Sequence, residues 1–359
     1  MSTKLPMRDY SLTGPENAAA KARGLASAEW YRCAVPRKRM KELMQRRDGP
    51  AIRDTLIWFG AIIGSGALLY SAWGTWWALP AFLLYSVIYE APSDSRWHEC
   101  SHGTAFKTYW MNDILYQVAS FMVMREPTPW RWSHARHHTD TIIVGRDPEI
   151  AAPRPPSFLT LGLNAFHIRN ALTEARKVIL HSSGRVTDAE RDYIPESEFP
   201  KVFRTARIWL AIYLGLIAWS AAIGSIMPLA FVGLPALFGA WLHLFFGLTQ
   251  HAGLAEDTLD HRLNSRTVYM NPIFRFMYWN MNYHIEHHMF PMVPYHALPA
   301  LHEAIKADTP APYPSCWAAY REIIPTLLRQ AKDPSYFVRR PLPGARDAVA
   351  ENFAAVSAE

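Results

Sequence analysis

Two long stretches without a charged side chain limit the folds open to this chain. Residues 55–89 and 208–255 contain no Asp, Glu, Lys or Arg and are rich in Leu, Ile, Ala, Phe and Trp. A helix needs about 20 residues to cross the hydrocarbon core of a bilayer, so each stretch exceeds one crossing. Each also carries a turn signal near its middle, Trp73-Gly74-Thr75 in the first and Met227-Pro228 in the second. The pattern predicts two helical hairpins. The expected fold is an all-α integral membrane protein with four transmembrane helices, over residues 55–72, 76–92, 208–226 and 229–250. Buried helices of a soluble protein would not stay uncharged over such lengths.

Lys and Arg collect at the end of the N-terminal arm, as Arg37, Lys38, Arg39, Lys41, Arg46, Arg47 and Arg53, and return at Arg204 and Arg207, while both turns are uncharged. By the positive-inside rule both termini and the inserts 93–207 and 251–307 face the cytosol. Topology and anionic lipid headgroups then account for the net charge of +6, and no nucleic-acid partner is inferred. Residues 1–54 read as a cytosolic arm without chemistry, 55–307 as the membrane domain and 308–359 as a cytosolic segment ending in a loosely held polar tail. The arm has no apolar signal-peptide core, so the first hairpin is expected to direct insertion. The apolar run 111–124 is too short to span and suits an interfacial helix, and further helices are expected over 272–288 and 298–307. Cys33, Cys100 and Cys316 all fall in cytosolic segments, which argues against a disulfide framework.

The chemistry lies in the histidines. Of fifteen, eight form three clusters: His98-Glu-Cys-Ser-His102, His134-Ala-Arg-His137-His138 and His284-Ile-Glu-His287-His288. At this histidine frequency an HxxHH pattern is expected by chance about 0.03 times, yet it occurs twice. On a helix, positions i, i+3 and i+4 share a face, so each cluster aims its imidazoles together. Eight or more nitrogen donors exceed what one four- to six-coordinate ion can use, which points to two metals. All three clusters fall on the same side of the expected hairpins and can meet in a cytosolic helical cap.

His251, where the second hairpin emerges, is a candidate ninth ligand. His243, eight residues earlier, either lines a substrate cavity or bonds within the helix packing; His167, His181, His261, His296 and His302 lack partners at ligand spacing and read as surface or packing residues. Glu99, Glu286, Asp140 and Asp147 lie within or beside the clusters and are candidates to hold the second nitrogen of ligand imidazoles, or else solvated charges. A metal transporter is a distant alternative, since its ligands would sit near the membrane midplane. A structural zinc site is a weaker one, since it closes with four ligands.

The boxes and their order resemble the membrane fatty-acid desaturase superfamily, with Asn280-Met-Asn-Tyr-His284-Ile-Glu-His287-His288-Met-Phe-Pro291 especially similar to its third box. The resemblance covers residues 58–301, and His251 with the short second box is similar to the branch containing dihydrorhizobitoxine desaturase. It implies a non-haem di-iron centre held by His98, His102, His134, His137, His138, His251, His284, His287 and His288, with O₂ as co-substrate and electrons from a ferredoxin, rubredoxin or cytochrome b5. It implies desaturation of a fatty-acyl or amphiphilic amino-acid-derived substrate, or hydroxylation of a lipid or small molecule, at a bacterial inner membrane. No His-Pro-Gly-Gly haem motif is present, so the donor is expected to be a separate protein.

Overall fold

The first charge-free stretch folds into two long helices, α1 (Asp48–Ala72) and α2 (Ala78–Ser101), joined where Gly74 takes a positive φ of 84°. Trp76 and Trp77 stand exposed at that turn, as indoles do at a membrane interface. The computed structural model describes residues 8–343, and among them no strand occurs beyond two isolated bridges. The helix expected to end near Pro92 continues to Ser101. Proline has no N–H to donate to the carbonyl four residues back. Here the indole Nε1 of Trp58 on α1 donates to Ile88 O at 2.8 Å and takes that place. The continuation carries His98 and His102 beyond the apolar half of α2.

After α2 come the 14-residue α3 (Tyr109–Met122), α4 (Pro127–Thr139) and α5 (Ile168–Ser182). On α3, Trp110, Ile114 and Val118 recur every fourth residue on an exposed face while Leu115, Ala119 and Met122 are buried, the pattern of a helix lying on an apolar phase. The second charge-free stretch gives α6 (Phe199–Ala222), a short helix Met227–Phe231, and α7 (Leu234–His251). Three stretches are long and apolar enough to cross a membrane: Arg37–Ala72, Glu196–Ala222 and Met227–His251. α2 is not among them, because Glu90, Asp94, Arg96 and Glu99 occupy its second half.

α2 packs between α1 and α7 and reaches α3 as well. Gly239 makes the α2–α7 contact close: a Cβ there would stand 2.1 Å from Ser86 O and 2.7 Å from Glu90 Cβ. The main core, including Trp58, Tyr116, Phe246, Trp279 and Leu298, fills the space between these helices and the segments after α7.

The helix expected over 272–288 is broken. Pro272–Met277 ends before Trp279 and Asn280, both at positive φ, and the third histidine box forms its own short helix α8 (His284–Met289). Asn tolerates this conformation; Trp279 adopts it with its ring stacked on Tyr295 at 4.2 Å, and Asn280 Nδ2 donates to Tyr295 O. α9 (Leu298–Ile305) ends slightly short of expectation. α10 (Cys316–Gln330), unforeseen in the C-terminal segment, stacks Tyr320 on Phe245 of α7 at 4.7 Å. The tail from Gly344 onward lies outside the described residues.

Candidate metal centre

The nine histidines expected to act together converge from four elements: the end of α2, the C-terminal half of α4, the last residue of α7 and the whole of α8. Their ring nitrogens gather into two groups. His98, His102, His134, His138 and His287 form one; His137, His251, His284 and His288 form the other, with donor atoms of each group within 4.8 Å of one another. The boxes interlock. In each HxxHH the i,i+4 pair, His134 with His138 and His284 with His288, serves one group, while the residue between, His137 or His287, crosses to the other.

Within the first group the Nε2 atoms of His102 and His134, His134 and His138, and His138 and His287 are each 3.1 Å apart. In the second, His284 Nε2 is 2.9 Å from His251 Nε2 and 3.0 Å from His288 Nε2. Two imidazoles bound at right angles to one ion, with bonds of about 2.1 Å, place their nitrogens about 3.0 Å apart. Hydrogen bonds between the rings cannot account for the second group. His251 Nδ1 donates to Asn264 O at 2.7 Å, and a carbonyl can only accept. His137 Nδ1 donates to Asp147 Oδ2 at 2.8 Å. Thr141 Oγ1 spends its proton on His137 O, so it accepts from His288 Nδ1 at 3.2 Å. Three of the four rings therefore turn a bare Nε2 inward, and one proton on His284 can face only one neighbour. A cation satisfies all four. In the first group His134 is fixed the same way, its Nδ1 donating to Glu149 Oε2 at 3.0 Å.

Electrostatics fit a donor set. Burial first, then the neighbouring imidazoles, hold His134, His138, His284, His287 and His288 well below the usual imidazole range, and burial lowers His102 to about 4. Burial, the largest influence, opposes protonation of His137 too, but the charge and hydrogen bond of Asp147 and the charge of Glu149 together raise the ring.

Of the four acids singled out in the sequence, only Asp147 meets a box imidazole. Glu99 accepts from Thr104 Oγ1 and the Tyr295 amide, Asp140 pairs with Arg136 and Arg146, and Glu286 bonds His302 Nδ1 at 2.5 Å and Thr267 Oγ1. Glu286 sits one or two positions from each histidine of its box and so projects from another face, while Glu99 is taken up by Thr104 and the Tyr295 amide. Glu149 was missed; its sequence signal was the extended Asp147-Pro-Glu149 step, which presents two carboxylates to adjacent turns of α4. His167, His181, His261 and His302 are buried and His296 is half-buried.

A cavity of about 470 Å³ adjoins the cluster, reaching His98, His134, His137, His251 and His284. His243 lines it and also bonds Glu90 Oε1 through Nδ1 at 2.9 Å, so both roles considered for it occur together. Beside His243, Arg125 pairs with Asp94 and lies between the rings of Trp97 and Trp130, 4.9 Å from each.

Fold and site together define an all-helical membrane protein with histidine clusters suited to a metal site. The fatty acid desaturase family model matches residues 74–320. The chain belongs to the fatty acid desaturase family, and is an oxidoreductase of the desaturase class. It is similar to a Delta(12)-acyl-lipid-desaturase of Punica granatum, 37% identical over 26% of this chain and 22% of that protein. An omega-6 fatty acid desaturase, the endoplasmic reticulum isozyme 1 of Glycine max, is 23% identical over 70% of this chain and 72% of its own length. An sn-2 acyl-lipid omega-3 desaturase (ferredoxin), chloroplastic, of Helianthus annuus is 22% identical over 77% of this chain and 65% of that protein.

Proposed function

We propose that this chain is an O₂-dependent desaturase that holds two iron ions, one in each histidine group, and introduces a carbon–carbon double bond into an amphiphilic acyl or amino-acid-derived substrate. The observation that carries the reading is the pair of convergent imidazole groups with bare Nε2 atoms turned inward. Five and four nitrogens are too many for one ion and leave room at each of two. Imidazole also suits zinc and copper; iron is supported by family membership. When bound, the iron pair supplies the power to couple O₂ reduction to removal of two hydrogens, with two electrons and two protons completing two waters.

The chain's own residues orient and shield. Asp147, Glu149, Asn264 O and Thr141 fix ring tautomers, as second partners of metal-bound histidines do. The cavity is the place for the substrate: Leu161, Ala240, Leu244 and Leu248 give it an apolar wall, and Arg125 with His243 a polar one. That mixed lining supports an amphiphilic substrate with one polar end. α2 acts as a fourth crossing in this reading. Its apolar face exposes Leu79, Leu83 and Leu84, while Glu90 and Asp94 turn to His243 and Arg125 inside the bundle. The basic residues flanking the spans support a cytosolic position for the metal centre and both termini. Electrons come from a separate protein; a related enzyme carries ferredoxin in its name.

Metal analysis of purified protein, with metabolite and lipid profiling of an expressing host, tests the reading. Two irons per chain and products two hydrogens lighter are expected. A single tightly held zinc refutes it, and products one oxygen heavier assign hydroxylation instead.

A further inference from the structure

The N-terminal arm, which the sequence left without a role, lies against the metal centre. Tyr31 N donates to Leu259 O at 2.9 Å and Cys33 N to Met289 Sδ at 3.1 Å, so the arm is pinned immediately after Trp30. The Trp30 indole donates from Nε1 to Thr139 O at 3.1 Å and is half-buried, with part of the ring reaching solvent. Its ring stacks on His261 with centroids 4.2 Å apart and planes 5° from parallel. His261 is 3% exposed, and its ring lies 5.2 Å from that of His288. An unbroken line of rings thus runs from the surface to a member of the second histidine group.

A second aromatic line touches the cluster: Trp130 meets Trp97 edge-on at 5.5 Å, and Trp97 lies 5.7 Å from His134. Trp97 and Trp130 both line the cavity, where substrate would cover them, whereas Trp30 and His261 do not. The two lines lead to separate openings. Only the Trp30 line stays accessible to a protein partner while the cavity is filled.

We propose that Trp30 and His261 are the electron entry to the metal centre and that a one-electron carrier protein docks over Trp30. The proposal rests on the two-iron reading above. Each delivery oxidises one reduced carrier by one electron and reduces the centre by one; two deliveries serve one turnover. No bond forms or breaks at either ring. Trp30 and His261 are positioning residues, which replace a gap through protein by one stacked and one tilted ring contact.

The test avoids needing the native carrier. A ruthenium photoreductant is attached to Glu29→Cys, an exposed neighbour of Trp30, or to Lys201→Cys on α6. Flash reduction of the iron-loaded full chain is followed by its iron absorption and Mössbauer signals, not by turnover. Reduction is expected to be faster from position 29 than from position 201. Adding Trp30→Leu should slow it about tenfold, equivalent to about 1.4 kcal/mol on the barrier, and Trp30→Phe should largely restore it. Equal rates from the two positions, or an unchanged rate in Trp30→Leu, overturn the proposal. Dithionite separates the two readings. If it reduces every variant, the centre is intact whatever the flash rates; if it produces no iron signal in the parent chain, the two-iron reading fails.

Discussion

Replacing Asp147 by Asn should loosen one metal while leaving the other held. The carboxylate is buried and takes three donors: His137 Nδ1 at 2.8 Å, Ile142 N at 2.7 Å and Glu149 N at 2.8 Å. Asn has one acceptor oxygen. With that oxygen on the Glu149 amide, its NH₂ faces two donors. His137 then relieves the conflict by moving its proton to Nε2, so that Nδ1 accepts from the amide, and the inward lone pair is lost. Losing such an outer partner costs 10–100-fold in metal affinity, or about 1.4–2.7 kcal/mol. The Ile142 N–H is left unpaired as well, for about 1–3 kcal/mol of fold stability. The assay is metal retained per chain, by mass spectrometry, against increasing chelator. The variant should release one equivalent at chelator strengths that the parent survives, with the second equivalent unchanged. Asp140→Asn is the control, because Asp140 pairs with Arg136 and Arg146 and touches no box imidazole. If Asp147→Asn and the parent release both equivalents together, or if Asp140→Asn behaves like Asp147→Asn, the tautomer argument is refuted.

Two other outcomes follow from packing and charge. His181 is buried between Glu126 and Glu190; burial opposes its protonation, but the hydrogen bonds to the two carboxylates push it up to about 9. A raised histidine stabilises fully below its unfolded value of about 6.5 and loses the contribution as pH rises to about 9, here about 3 kcal/mol. Thermal unfolding in detergent should show the midpoint falling across that window, and His181→Gln should flatten the fall; an equal fall in both excludes His181 as its source. Gly239→Ala should force α2 and α7 apart, since the added methyl meets the Ser86 carbonyl, at a cost of about 1–3 kcal/mol. A midpoint for Gly239→Ala matching the parent would show that this approach is not close in solution.

The sequence by itself determined what depends on local periodicity. Uncharged length fixes apolar helices, because a charge in hydrocarbon is costly wherever the chain goes. The spacing of His134, His137 and His138 fixes a common face, because 3.6 residues make a turn. Tertiary structure decided whatever depends on meeting a partner from elsewhere in the chain. It carried α2 through Pro92 because Trp58, thirty residues earlier, stands at the unpaired carbonyl. The third box left the expected long helix because Trp279 and Asn280 pack on Tyr295. Each HxxHH was divided between two groups, which spacing alone cannot do: one helix face shows direction, and only four elements closing together show which rings share a centre. For the same reason Glu149 reached His134 while Glu99 and Glu286, nearer in sequence, turned away.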